Sequence, residues 1–397
     1  MNSATTITIA QSKGKPLPWL YFTQFLSAFA DNALLFGILA LLKAQSYPDY
    51  YIGIVQTSFL LAYVILAPFV GTFADKHSKP TVLMAGNLLK AAGVIGLLCG
   101  LHPAASYAMA GIGAAVYSPA KYSILKFLTR DEQELLKANS RIEGYTILAI
   151  LAGSVGGGVL STLSVTGAVV ACLALYLASF AMTWFIPKTQ GNPDLKYGKD
   201  ALLFFKDTAA LFRNAKTRFT LVGTGSFWMA SSVVRLAVIA WVPVHLGIES
   251  MDRISLIVAL TAVGIVIGSF LTPKIVPASQ YFTSYRFGLL MVAIMLLLPL
   301  VYNLPLAVAL LLIVGACGGI YLIPLNSALQ ENKIVSPGKT IAIQNLVENV
   351  LMLAGVSAYT KITEVGMSND VSIILTAIIL LLFVAYLIIE KKKLIAK

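Results

Sequence analysis

The residues of this sequence that can do chemistry are ionisable side chains set inside long apolar runs. Asp31 stands about twelve residues into the first run and is followed by Asn32. Lys90 lies inside the third run, Lys121 and Glu143 fall in the fourth and fifth, and Arg235 is about sixteen residues into the seventh. Asn345 and Glu348 lie in the first turns of the eleventh. Charges at such depth are costly in hydrocarbon and persist where they line a bundle interior, pair, or meet a charged ligand. Cations and carboxylates in one interior suit a zwitterion, the cations taking its anionic group and the carboxylates its ammonium. Arg235 follows Asp31 by 204 residues, so the two suggest either a cross-cavity ion pair or two charges held for a ligand. Plainer roles compete. Lys121 and Arg141 are near enough to a helix end to snorkel, and Glu143 has Arg141 as a ready partner.

Covalent chemistry is not called for. His77, His102 and His245 are dispersed, and Cys99, Cys172 and Cys317 sit in apolar runs without disulfide or metal-ligand spacing. Gly338-Lys339-Thr340 lacks the glycine spacing of a phosphate-binding loop. The expectation is no enzyme, no metal and no cofactor.

The elements that must position these charges are membrane helices. Hydrophobic residues make up 58% of the 397-residue chain and charged residues 12%, and the net charge is +12. Mean hydropathy is +0.83. A soluble domain is about 45–50% apolar and about 25% charged, so a soluble core cannot hold this chain. A basic balance on a soluble domain would suggest nucleic acid; here it is better read as Lys/Arg gathered in loops on one side of a bilayer. Crossing hydrocarbon takes about 20 helical residues with every backbone group paired inside the helix. Windows of that size predict spans near 19–42, 51–72, 81–100, 103–125, 141–163 and 166–186. After a polar interval come 219–245, 254–272, 283–301, 304–326, 340–361 and 370–389. The first nineteen residues lack an apolar core, so the first span is expected to be retained rather than cleaved.

Loops on one face carry about 22 of the 29 Lys/Arg, against Lys43, Arg253 and Lys361 on the other. The rich face, with both termini and the polar interval, is expected to be cytoplasmic. That interval, 187–217, divides the chain into 1–186 and 218–397. Within it, 199–213 has a helical stripe of Leu202, Phe205, Ala209 and Phe212, suited to rest on the membrane surface or the protein body. The flanking parts repeat faintly at an offset of 205: Pro119 matches Pro324, and Glu143 matches Glu348. Equivalents separated by six helices keep the same membrane orientation, as in a parallel repeat.

The loop Gly71-Thr-Phe-Ala-Asp75-Lys76-His-Ser-Lys79-Pro80 is the most specific motif. Gly71 permits close helix approach, Asp75 can receive hydrogen bonds at a helix end, and Lys76 and Lys79 hold positive charge. It resembles the loop signature of the major facilitator superfamily, with Ser78 where a glycine is usual and Pro80 in place of the last base. The resemblance implies an all-α membrane protein of twelve transmembrane helices in two parallel-repeat six-helix bundles. It also implies a cytoplasmic gate at Gly71, Asp75, Lys76 and Lys79. The fifth span lacks the proline that follows the glycines in many proton antiporters, which makes proton antiport less attractive.

Gln24 through Asp31-Asn32 to Phe36, Tyr117-Ser-Pro119-Ala-Lys121-Tyr122, Pro324-Leu-Asn326, and Gln344-Asn345-Leu-Val-Glu348-Asn349 narrow the match. These polar segments, spread over essentially the full chain, resemble the bacterial lysophospholipid transporters. That resemblance implies inward movement of lysophospholipids, especially 2-acyl-glycerophosphoethanolamine, across the bacterial inner membrane by alternating access. It further implies a cytoplasmic-side acyltransferase/acyl-carrier-protein synthetase as functional partner, membrane lipids as surroundings, and a monomer. On this reading the lipid phosphate approaches Arg235 or Lys121 and its ammonium Asp31 or Glu348. Asn32, Glu143 and Asn345 complete the expected translocation set. The alternative is an exporter of a small amphiphilic drug or metabolite, which would share the helices and the 71–80 loop.

Overall fold

A computed structural model describes residues 16–48 and 50–395. The basic tail before Pro16 and the final Lys397 lie outside it. Within the described residues the chain forms thirteen α-helices. Six precede the bridge: α1 (Pro16–Ala44), α2 (Tyr50–Lys76), α3 (Lys79–Leu98), α4 (Pro103–Leu128), α5 (Glu132–Leu163) and α6 (Val165–Met182). The bridge contributes α7 (Tyr197–Arg213). Then follow α8 (Ala215–Leu246), α9 (Met251–Ile275), α10 (Tyr285–Leu297), α11 (Leu304–Gln330), α12 (Pro337–Glu364) and α13 (Asn369–Ile395).

Among the described residues, eleven helical segments are long and apolar enough to cross a membrane. The expected twelfth, α4, is not among them on composition: it spans 26 residues but carries Tyr117, Ser118, Lys121, Tyr122, Ser123 and Lys126. At 1.5 Å per residue it is about 39 Å long, enough to span. Several helices also overrun their apolar windows at polar ends. α5 begins at Glu132, where the Asp131 side chain accepts from the Glu134 amide at 2.7 Å. α8 begins on Asn214, which accepts from the Thr217 amide at 3.2 Å. Such caps satisfy amides that have no intrahelical partner.

Packing repeats across the bridge. The pairs α1–α5, α1–α6, α2–α4, α3–α4 and α3–α6 recur as α8–α12, α8–α13, α9–α11, α10–α11 and α10–α13. Pro119 and Pro324 sit inside the equivalent helices α4 and α11. Small residues set the closest approaches: a Cβ on Gly319 of α11 would come within 2.7 Å of the Ile265 carbonyl oxygen on α9. Between the two sets, α2 packs on α12 and α5 on α9. Among the described residues, the hydrogen bonds joining α1–α6 to α8–α13 all lie in the bridge-proximal half of the molecule. The structure is closed at the bridge end.

Candidate functional site

Asp31 is not paired across the molecule. Its Oδ2 accepts from Lys90 Nζ at 2.7 Å and its Oδ1 from the Tyr176 hydroxyl at 2.8 Å. Lys90 is fully buried between the Tyr117 and Tyr176 rings, 5.0 and 5.7 Å from their centroids. It also donates to Ser27 Oγ at 2.9 Å, which donates to Asn87 Oδ1 at 2.9 Å. Asn87 donates to Ser179, and Ser179 to the Thr23 carbonyl. α1, α3 and α6 thus hold a closed circuit of charge and hydrogen bonds. Of the two readings for Asp31 and Arg235, the cross-cavity ion pair does not form: Arg235 on α8 is exposed and has no ion-pair partner among the described residues, while Asp31 is engaged by residues of its own packing unit. Asn32 donates to the Ala28 carbonyl of its own helix at 2.8 Å.

A second cluster lies on the seam between the two sets of helices. Glu143 Oε1 accepts from the Tyr122 hydroxyl and from Asn326 Nδ2. Gln344 Nε2 donates to Asn326 Oδ1 at 2.6 Å and to Glu348 Oε1 at 2.8 Å. The two glutamates matched by the sequence repeat are therefore joined through two amides. Asn345 donates to Ser118 Oγ at 2.9 Å, also across the seam. Lys121 is buried here with its Nζ 4.0 Å from the Tyr122 ring centroid, and no carboxylate of the described residues lies within ion-pair distance. Burial excludes the plainer snorkelling role that competed with recognition for Lys121. Its unspent donors, beside the two glutamates, give the seam a cation able to bind an anionic group.

The 71–80 loop works as a clasp. α12 starts at Pro337, and Ser336 before it makes no side-chain cap. Asp75 supplies the cap from α2: Oδ1 accepts from the Gly338 amide at 2.8 Å and Oδ2 from the Lys339 amide at 3.1 Å. A carboxylate at a helix N-terminus is favoured by both hydrogen bonding and the helix dipole. Lys79 Nζ neutralises the same carboxylate at 2.9 Å. Gly71 is needed for the approach, since a Cβ there would lie 2.6 Å from Lys339 Cα. Lys76 turns to the bridge, donating to the Leu195 carbonyl at 2.8 Å. Ser78, at the usual glycine position, accepts from the Thr189 amide at 3.2 Å. Lys339 Nζ then reaches α7, 2.8 Å from Asp200 and 3.2 Å from Asp207. Its hydrogen bond holds the Asp200 carboxyl below the ordinary range. At the end of α11, within the second set of helices, Lys216 of α8 lies 3.5 Å from Glu331, which faces Glu132 of α5 across the seam. Burial first, and then Glu132 nearby, push the Glu331 carboxyl up to about 7, with Lys216 opposing.

A family model described as Major Facilitator Superfamily matches residues 20–356. The chain is 44% identical over 369 residues to the "Lysophospholipid transporter LplT" of Salmonella typhimurium, covering 92% of each chain. The proteins of the same name from Salmonella paratyphi B and Salmonella newport match to the same extent. The chain belongs to the major facilitator superfamily, among the bacterial lysophospholipid transporters. Solved structures agree on the fold. The human organic anion transporter MFSD10 superposes with a TM-score of 0.75 at 15% identity, covering 94% of this chain and 100% of that one. The transporter FucP in its outward conformation gives 0.75 at 12% identity, covering 94% and 98%.

For a major facilitator protein, the structure brings Lys121, Glu143, Asn345 and Glu348 to one seam and Gly71, Asp75 and Lys79 to one clasp. It leaves Asp31 in a circuit of its own and Arg235 apart from it. Residues not assigned a role from sequence include Tyr122, Tyr176, Gly338, Lys339, Asp200 and Asp207. Lys339 carried a signal, a basic residue within the first turn of a helix, where the dipole disfavours it.

Proposed function

We propose that this protein moves lysophospholipids across the bacterial inner membrane by alternating access, bringing them inward for re-acylation. The observation that carries this reading is the 44% identity over 92% of both chains to proteins named as lysophospholipid transporters. It works without covalent change to the lipid. α4 supplies a twelfth span, giving two six-helix halves, 1–186 and 218–397, joined by the 187–217 bridge. The bias of Lys/Arg supports a cytoplasmic bridge and cytoplasmic termini. On that orientation, closure at the bridge end leaves the site to load from the outer side.

Within this reading Lys121 takes the lipid phosphate, since it is a buried cation with free donors, and Arg235 offers a second, exposed guanidinium. Glu348 and Glu143 serve the ammonium of an ethanolamine head group. Asp31 is the weaker choice for that role, because Lys90 and Tyr176 already engage both its oxygens. Asn32 and Asn345 line the path without holding charge. 2-Acyl-glycerophosphoethanolamine is the proposed principal cargo, an acyltransferase/acyl-carrier-protein synthetase the proposed partner, and a monomer the working unit.

The test is uptake of labelled lysophosphatidylethanolamine by protein reconstituted in vesicles, with an uncharged single-chain amphiphile as competitor and no ion gradient. Saturable uptake that the competitor does not displace supports the reading. Uptake no faster than in protein-free vesicles overturns it.

A further inference from the structure

α7 has two faces that the sequence pattern alone does not separate. Asp200, Phe204 and Leu211 are buried, and Asp207 is half-buried. Phe204 and Leu211 join an apolar cluster with Ala67 and Val70 of α2 and Ala342 and Ile343 of α12. Ala67 and Val70 belong to the last three turns of α2, so α7 lies beside those turns, at the depth where a membrane helix passes from hydrocarbon to head groups. Both acids of α7 are turned inward onto Lys339, at 2.8 and 3.2 Å.

The outer face is left with one sign of charge. At helical spacing it presents Leu202, Phe205 and Ala209, flanked by Lys199, Lys206 and Arg213, all exposed. Leu202 is 82% and Phe205 69% exposed, large apolar groups that the described residues leave uncovered. A solvated helix face ordinarily mixes acids with bases; this one has apolar side chains beside cations and no acid. That combination fits an interface between acyl chains and anionic head groups.

We propose that the outer face of α7 docks on anionic phospholipid head groups of the bridge-side leaflet, with Leu202 and Phe205 inserted and Lys199, Lys206 and Arg213 on the phosphates. Because the inner face of the same helix holds Lys339, and the Lys339 amide is held by Asp75, lipid docked on α7 bears on the clasp that closes the bridge end. The inference concerns the surrounding lipid and stands whatever the cargo is.

The experiment places a bimane fluorophore on Phe205→Cys in full-length protein whose Cys99, Cys172 and Cys317 are replaced by Ser or Ala. The protein is reconstituted in phosphatidylcholine vesicles with or without a quarter of phosphatidylglycerol. Quenching by nitroxide-labelled lipid is compared with quenching by aqueous acrylamide. Lipid quenching is expected to rise at least about threefold with phosphatidylglycerol, and to fall back in the Lys199→Gln/Lys206→Gln/Arg213→Gln variant. That variant leaves the Lys339 contacts in place, and its elution as a single folded species is checked first. Full acrylamide access with no lipid quenching in either vesicle overturns the proposal. So does lipid quenching indifferent to phosphatidylglycerol and to the three cations, or shielding that appears only when soluble cell extract is added.

Discussion

Two charged centres lie at membrane depth, and they are built on opposite plans. The Asp31–Lys90 centre is closed. Each carboxylate oxygen has a donor, the ammonium has a carboxylate, a hydroxyl and two aromatic faces, and every partner comes from α1, α3, α4 or α6. The Lys121–Glu143–Glu348 centre is open. Its carboxylates receive neutral donors, its ammonium has no carboxylate within ion-pair distance, and its members come from both sides of the seam. A closed circuit stabilises a packing unit and has little left to offer a ligand. An open one keeps binding capacity and is remade whenever the seam moves.

The largest expected effect separates the two. Lys90→Ala leaves Asp31 a partly buried carboxylate without its cation, at a cost approaching the roughly 3–5 kcal/mol of a broken buried pair, so much less folded protein should survive extraction. Asp31→Asn combined with Lys90→Met should restore much of the thermal stability. If Lys90→Ala is as stable as the parent protein and only transport fails, the centre is a ligand site after all. Lys121→Gln should do the reverse, leaving thermal stability near normal. A charged hydrogen bond is worth about 1.5–3 kcal/mol, so lysolipid uptake should fall roughly ten- to hundredfold. Unchanged uptake would remove Lys121 from recognition.

The clasp gives a smaller, conformational effect. Asp75→Ala removes the cap of α12, worth about 1–2 kcal/mol. It should make a cysteine at Lys339 more reactive to a soluble maleimide by shifting the population toward an open bridge end. Gly71→Ala should act the same way through steric contact with Lys339. Equal reactivity in all three proteins would mean that closure rests on the apolar contacts alone.

The smallest effect is a pH dependence. The Glu331 carboxyl is raised to about 7, above its ordinary value of 4.5, by burial in the closed seam and by Glu132. The closed form therefore holds a proton that the solvated carboxyl has released between these values. Its contribution to closure is present at low pH and is lost as pH rises through about 7. Reactivity at the bridge end should thus grow between about pH 5 and 7 and level off above, and Glu331→Gln should flatten that dependence. The Asp200 carboxyl is shifted the other way, so the Lys339 latch should hold throughout this range and loosen only in acid below the ordinary Asp range. A dependence that persists in Glu331→Gln would move the titration elsewhere.

Apolar run length, loop charge and the offset of 205 determined the helices, their order and the equivalence of Glu143 with Glu348, because these depend on the chemistry of single segments. The Gly71–Lys79 loop announced close approach and a capping carboxylate for the same reason, being local. The partners were another matter. The sequence placed Asp31 and Arg235 at similar depth, but depth along a helix does not say which way a side chain is turned. Packing of α1 beside α6, and of α3 beside α6, brought Lys90 and Tyr176 to Asp31 and left Arg235 elsewhere. Packing also gave Asp75 the amides of α12 and turned both acids of α7 onto Lys339. Azimuth and neighbour are properties of helix packing, and among helices apolar nearly all round they are set by contacts between residues far apart in the chain.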